Sequence, residues 1–407
     1  MDEKHMAFTR RRFLAGSGAL AASAALPTAL FARTAGTARF VVVVLRGALD
    51  GLAAVPPHGD RDYAGLRREI AIAAPGGDGG ALALDATFGL HPALGFLHER
   101  FQAAELLVLH AVASPYRDRS HFDGQNVLEN GLTHPLGSAD GWLNRALAAL
   151  PGHLPSRAER AVAVSQNVPL ILRGAVPVLS KSPLATPDVD EDLLARLADL
   201  YSKDDWFSAR LSMGEQTLSA EPPVAASQSV AKPASADRFG RVARLAATLM
   251  RGDGGPEVAV IEATGWDTHA NQGGAVGILA QRLADLDQGL RELREGLGPV
   301  WQHTAVLIMT EFGRTAAVNG TRGTDHGTGG CALLAGGAIR GGRVLADWPG
   351  LGPHALLDNR DLRPTVDLRS LYKGVLRDHL GLDDRTLMTH VFPDSRNARP
   401  IDGLIKT

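Results

Sequence analysis

The chain predicts an α/β fold, a mostly parallel central sheet flanked by helices, on three observations. Several short runs are continuously apolar and rich in β-branched residues, with no alternation, the mark of strands buried on both faces. Segments with helical character separate these runs, as in an alternating β-α arrangement. Aromatic residues make up only 5% of the 407 residues, while glycine and alanine are abundant. That balance suits helices packed tightly on a sheet better than a large all-β sandwich.

Residues 40–45, Phe-Val-Val-Val-Val-Leu, form the first expected strand, followed by the glycine-punctuated turn Arg46-Gly47-Ala48-Leu49-Asp50-Gly51. Residues 91–105 read as a helix and 106–112 as the second strand. Ser120 to Gly131 reads as a helix, with Ser120 near its N-cap and Gly131 just past its end. Residues 161–164 and 176–179 read as short strands. The stretch 180–236 reads as mostly helical, passing from Glu221 into a Pro/Ala/Ser-rich loop or linker with no core signal. An amphipathic helix over 238–250 leads to a strand at 258–262, a polar loop at 265–272 and a long helix over 276–297. Strands at 304–309 and 331–335 follow. The glycine-rich turn at 336–342 lacks the Lys-Ser/Thr that completes a phosphate loop.

The N-terminus reads as an address. Thr9-Arg10-Arg11-Arg12-Phe13-Leu14 precedes a weakly apolar Ala/Gly-rich stretch over 15–31 with no acidic residue, the pattern of a twin-arginine export signal. Residues 1–36 are therefore expected to be the signal, and 37–407 a single α/β domain with a helical or loop insertion around 180–236. The expected partner during export is the twin-arginine translocase, and the expected destination is periplasmic or secreted. A formal net charge of −2 gives no basic footprint for nucleic acid. Cys331 is the lone cysteine, so no internal disulfide forms, and its place at the head of an apolar run marks it as core.

Ligands of open α/β sheets bind outside the carboxyl ends of the strands, and chemistry-bearing residues collect after each expected strand. Asp50 follows the first. Arg119, Ser120, His121 and Asp123 come after the second. Asp267, His269, Asn271 and Gln272 follow the strand at 258–262, and Glu311, Arg314, Asn319, Asp325 and His326 follow that at 304–309. Imidazole and carboxylate together suit zinc, manganese or iron. Two such ions can clamp the attacking and leaving oxygens of a displacement at phosphorus or sulfur. Ser120 at a helix start suits a nucleophile, because the helix dipole favours anionic oxygen there. Each residue also has a purely structural alternative. Asp50 could cap the helix after it, and Ser120 its own helix. Asp267 and His269 could close a hydrogen-bonded turn, and Glu311 and Arg314 could form a buried ion pair.

The ordered motifs Leu45-Arg46-Gly47 with Asp50-Gly51-Leu52, Arg119-Ser120-His121-Phe122-Asp123, Gly265-Trp266-Asp267-Thr268-His269-Ala270-Asn271-Gln272, Glu311-Phe312-Gly313-Arg314-Thr315 and Gly323-Thr324-Asp325-His326-Gly327 resemble those of the bacterial DUF1501 family. That family is similar in fold to the alkaline phosphatase and sulfatase superfamily. The resemblance implies an alkaline-phosphatase-like domain in which Asp50 binds metal from the first strand and Ser120 is the nucleophile. Asp267 with His269 and Asp325 with His326 would then be further ligands. The superfamily's additional histidine after the Asp-His pair has no counterpart in a recognisable motif, so either His121 takes its place or the site holds one ion. The sulfatase nucleophile signature is absent.

The expected activity is that of an exported metal-dependent hydrolase of phosphate or sulfate esters, using one or two divalent ions of zinc, manganese or iron. Its substrate would be a small anionic ester or a sulfated or phosphorylated glycan, steadied by Arg119 or Arg314. Two alternatives stand beside it. One is an exported, non-catalytic metal- or glycan-binding protein. The other is an exported oxidoreductase, against which stand the missing cysteine ligand set and dinucleotide fingerprint.

Overall fold

The computed structural model describes residues 38–150, 160–182, 238–252 and 254–406. The expected export signal and nearly all of the expected insertion at 180–236 lie outside these residues. The strands are β1 (Arg39–Arg46), β2 (Leu82–Ala83), β3 (Gly89–Leu90), β4 (Leu106–Ala113), β5 (Ala161–Ala163), β6 (Leu179–Ser180), β7 (Val258–Thr264), β8 (Thr304–Thr310), β9 (Gly330–Ala335), β10 (Arg343–Leu345) and β11 (Val366–Asp367). The principal helices are α1 (Gly51–Ala54), α2 (Tyr63–Arg67), α3 (Gly95–Gln102), α4 (His121–Asn130), α5 (Trp142–Ala149), α6 (Arg238–Met250), α7 (Ile278–Leu297) and α8 (Leu368–Leu380).

One nine-stranded sheet runs in the order β10-β4-β9-β8-β1-β7-β5-β6, with β11 also paired to β4. β9 is antiparallel to β4 and β8, and every other pairing in the sheet is parallel. The predicted mostly parallel α/β sheet is therefore present. β1 lies between β7 and β8 and is buried on both faces, which explains its unbroken valine run. Successive side chains point to opposite faces. Val41, Val43 and Leu45 enter the core under α3, α6 and α7, while Phe40, Val42 and Val44 enter the core under α5 and α8. Helices thus cover both faces. Along α7, Leu279, Leu283, Leu286, Leu290, Leu293 and Leu297 are buried, the spacing of one helical stripe.

Two expected elements differ in extent. The helix expected over 91–105 begins only at Gly95, because His91 sits in a turn: its carbonyl accepts the Leu94 N–H and its ring bonds the Gly274 carbonyl at 3.0 Å. The strand expected at 176–179 is displaced to Leu179–Ser180. The Val176 backbone is instead held by Asn144, which accepts its N–H and donates to its carbonyl. Cys331 lies in β9, 4% exposed, with its thiol pushed up to about 12 by burial.

The glycine-rich turn after β9 packs on the opposite end of the sheet from the candidate site, against the starts of β4 and β8. Its N–H groups are engaged by carbonyls of Trp301, Ala104, Glu105 and Leu106, so it offers no anion cradle.

The reversed direction of β9 shapes the rim. β8 ends at the edge where β1, β4 and β7 also end, and β9 starts there. The connection over 311–329 therefore leaves and re-enters the sheet at one edge, which places Glu311, Arg314, Asp325 and His326 together on it.

Candidate metal centre

Three histidines from three loops define the site. His121 opens α4, and its Nδ1 donates to Glu311 Oε1 at 2.8 Å. His326 Nδ1 donates to the Arg119 carbonyl at 2.8 Å, and His269 Nδ1 donates to Asp325 Oδ1 at 3.2 Å. A neutral imidazole carries one N–H. With all three Nδ1 atoms committed, each Nε2 presents a lone pair.

Those lone pairs converge on one another and on Asp267. His269 Nε2 lies 3.0 Å from His326 Nε2. Asp267 Oδ1 is 3.0 Å from His269 Nε2 and 3.2 Å from His326 Nε2, and Oδ2 is 3.4 Å from His121 Nε2. Ligand atoms of His121, Asp267 and His326 all fall within 4.8 Å of one another. His121 Nε2 is buried without a hydrogen-bond partner. Two imidazoles sharing an ion at about 2.1 Å stand about 3.0 Å apart at right angles and about 3.4 Å apart at the tetrahedral angle. The 3.0 Å between His269 and His326 is also an N–H···N hydrogen-bond distance, so a proton shared by the two rings gives the same separation. The donor set that could share one ion, the His121 and His326 imidazoles and the Asp267 carboxylate without thiolate, fits zinc, manganese or iron.

The surrounding charges are ordered. Glu311 holds the His121 imidazole above its ordinary range, while burial holds His326 below it. Burial would raise Asp267, but the hydrogen bond and charge of Arg314 outweigh it and hold the carboxyl below the usual range.

Several expected roles are corrected by these contacts. Asp50 does not join the cluster. It is fully buried and caps α1, accepting the Leu52 and Ala53 N–H groups. Its carboxylate also takes both Arg67 terminal nitrogens, at 2.8 and 2.5 Å, and Gln272 Nε2 at 2.7 Å. These donors fill its lone pairs. Asp325 stands behind His269 instead of facing the shared space, and it also accepts from Asn319 Nδ2 at 3.0 Å. Arg314 does not face open solvent. Its guanidinium is buried against Asp267 Oδ1, at 2.6 Å, and against the Thr324 hydroxyl and carbonyl. Arg119 keeps 28% of its side chain exposed but pairs with Asp361 and Asp358.

Ser120 occupies the N-cap position of α4, at φ −95° and ψ 128°, yet its hydroxyl accepts no N–H of the helix. The cap alternative therefore fails for this residue, although Gly131 ends the helix at φ 71° as expected.

Sequence reasoning missed Arg67 and Asp361, whose partners lie far along the chain, and left Glu311 as a partner for Arg314. Glu311 pairs with His121 instead. The available signal was its position directly after the apolar run of β8.

Gly47 explains the first motif. Its φ is +120°, and a Cβ there would sit 2.8 Å from the Asp267 backbone nitrogen. Its N–H donates to Glu311 Oε1 at 2.8 Å. A side chain would push the Asp267 loop away from the turn that follows β1.

A cleft of about 640 Å³ opens beside the cluster. Phe122 and Trp266, the chain neighbours of His121 and Asp267, line it together with Arg46 and Gln125. The four cluster residues themselves do not line it.

No curated protein matches this chain. Among solved structures, one described as Ps i-CgsB in complex with k-i-k-neocarrahexaose is similar with a TM-score of 0.44 and 11% identity, covering 89% of this chain and 77% of that one. The model of the family described as "Protein of unknown function (DUF1501)" matches residues 105–392, a span that holds His121, Asp267, His269, Glu311, Arg314, Asp325 and His326, and the chain belongs to that family.

Proposed function

We propose that the chain is an exported, metal-dependent hydrolase of phosphate or sulfate esters, built on one ion held by His121, Asp267 and His326, with His269 beside them. One observation carries the metal reading: three imidazoles, each fixed through Nδ1, turn their Nε2 lone pairs toward one carboxylate. Lone pairs so close repel one another unless a cation or a shared proton lies between them. A bound divalent ion would act as a Lewis acid on an ester oxygen.

The chain's own residues supply the rest. The Ser120 hydroxyl, uncommitted to its helix, is the proposed nucleophile at phosphorus or sulfur. The first-turn N–H groups of α4 favour the anionic oxygens of the ester. Arg119, one residue earlier, partly exposed and paired with Asp361 and Asp358, is the proposed cation for the substrate. The substrate class is a small anionic ester or a phosphorylated or sulfated glycan.

A second reading, a non-catalytic metal-binding protein, is favoured by one observation. Asp50 and Asp325 are engaged elsewhere, which leaves a set for one ion and removes the two-ion clamp.

Metal analysis of folded wild type beside His326→Ala tests the metal reading. About one equivalent of zinc, manganese or iron in wild type, lost in the variant, supports it; a metal-free wild type after reconstitution sinks it. Aryl phosphate and aryl sulfate turnover then separates enzyme from binder. Turnover abolished by Ser120→Ala with metal retained supports the hydrolase, and no turnover by the metal-loaded protein favours the binder.

A further inference from the structure

Glu311 is a fully buried carboxylate at the point where β8 meets the cluster. Three donors meet at its Oε1: the Gly47 N–H at 2.8 Å, His121 Nδ1 at 2.8 Å and Gln125 Nε2 at 3.1 Å. Its Oε2 lies 2.8 Å from Thr310 Oγ1. A desolvated anion is costly unless its lone pairs are met, and here they are met from the turn after β1, from α4 and from β8 at once. The carboxylate is therefore rigid, and so is the ring it holds. His121 also stacks on Phe312, with centroids 5.1 Å apart, which leaves the imidazole little freedom.

We propose that Glu311 is a positioning residue: it locks His121 in the Nδ1-protonated tautomer, aims Nε2 at the space shared with Asp267 and His326, and lends negative charge to that nitrogen's donor power. The inference rests on the metal reading for its purpose, but the tautomer lock stands or falls by itself. A carboxylate behind a ligating imidazole fixes ring orientation and raises basicity, and its loss typically costs about 10–100-fold in metal affinity. The Arg119 carbonyl and the half-exposed Asp325 do the same for His326 and His269. Glu311 differs in being both charged and fully enclosed.

The surroundings allow the charge to be removed without breaking the fold. In Glu311→Gln, the amide oxygen can keep the three Oε1 contacts. The amide nitrogen can donate to Thr310 Oγ1, whose proton then goes to the Leu45 carbonyl, 2.7 Å away. Thr310 Oγ1 also accepts the Leu49 N–H at 3.1 Å, so its two lone pairs are both used and only the second amide hydrogen lacks a named acceptor.

The test has two readouts. The first is the zinc dissociation constant, with the absorption bands of the cobalt(II)-loaded protein as a probe of ligand geometry, for wild type and Glu311→Gln. Affinity is expected to fall about 10–100-fold with shifted cobalt bands, while thermal unfolding of the metal-free protein changes little. The second is the His121 tautomer in metal-free protein, read from long-range ¹H–¹⁵N couplings in wild type, Glu311→Gln and Glu311→Ala. Wild type and Glu311→Gln are expected to keep the Nδ1 proton, and Glu311→Ala to move it to Nε2. Equal zinc affinity and unchanged cobalt bands in Glu311→Gln, with an unmoved tautomer in Glu311→Ala, overturn the proposal while leaving the metal reading intact. A wild type that binds neither zinc nor cobalt but shows the tautomer switch overturns the metal reading and keeps the positioning role. Should Glu311→Ala not fold, the zinc and cobalt comparison in Glu311→Gln decides.

Discussion

Replacing Asp50 by alanine separates two roles that the sequence leaves open, metal ligand and buried structural anion. The carboxylate is enclosed and neutralises Arg67, whose side chain is 1% exposed. Removing it leaves an uncompensated buried guanidinium, a loss of about 3–5 kcal/mol when one partner of a buried pair is deleted. It also removes the cap of α1, worth about 1 kcal/mol, and the acceptor for Gln272. These contributions share partners and do not simply add, so the expected destabilisation is about 4 kcal/mol. Asp50→Asn keeps an acceptor for the cap and loses the charge, so it should fall between wild type and Asp50→Ala. The assay is urea unfolding of wild type and both variants, with zinc content measured on the folded fraction. The expected result is a large stability loss with metal stoichiometry kept while folded. A variant of wild-type stability that has lost its metal would refute the structural assignment and restore Asp50 as a ligand.

Two further outcomes concern buried groups. His110 bonds the Val55 carbonyl through Nε2 at 3.0 Å and accepts the Ala111 N–H at Nδ1 at 2.8 Å, so it is held neutral. Burial lowers it from 6.5 to about 4, which makes the unfolded chain the stronger proton binder between those values. Stability is unaffected above pH about 6.5 and falls as the pH drops toward 4, by roughly 3 kcal/mol in all. Parallel stability–pH curves for wild type and His110→Gln would contradict this. Gly47→Ala places a Cβ 2.8 Å from the Asp267 nitrogen at φ +120°, a strain of about 1–3 kcal/mol from the backbone alone. Calorimetric unfolding should show that loss together with weaker zinc binding; unchanged zinc affinity would mean that the Asp267 loop does not depend on this contact.

The framework and the rim were legible in the residues alone. Continuous apolar runs such as 40–45 can be buried only on both faces of a sheet, so β1, β4, β7, β8 and β9 could be read directly, as could helices α3, α4, α6 and α7, whereas α1, α2 and α5 were not. Because rim loops come directly after strands, the loops carrying His121, Asp267, His269, Asp325 and His326 could be read as well. Which of these residues meet is a matter of tertiary packing. Arg67 lies seventeen positions from Asp50, and Gln272 is 222 positions away. No local pattern reveals that both converge on one carboxylate and withdraw it from the cluster. The same holds for Arg314, which reads as a substrate-gripping cation until its burial against Asp267 is seen. Glu311 and Arg314 stand three residues apart and are natural partners by spacing. The turn at Gly313 instead sends Glu311 to His121 and Arg314 to Asp267. Composition and spacing name the groups able to do chemistry. Only the packing of loops brought together from distant strands sets which lone pairs are filled and which are left facing one another.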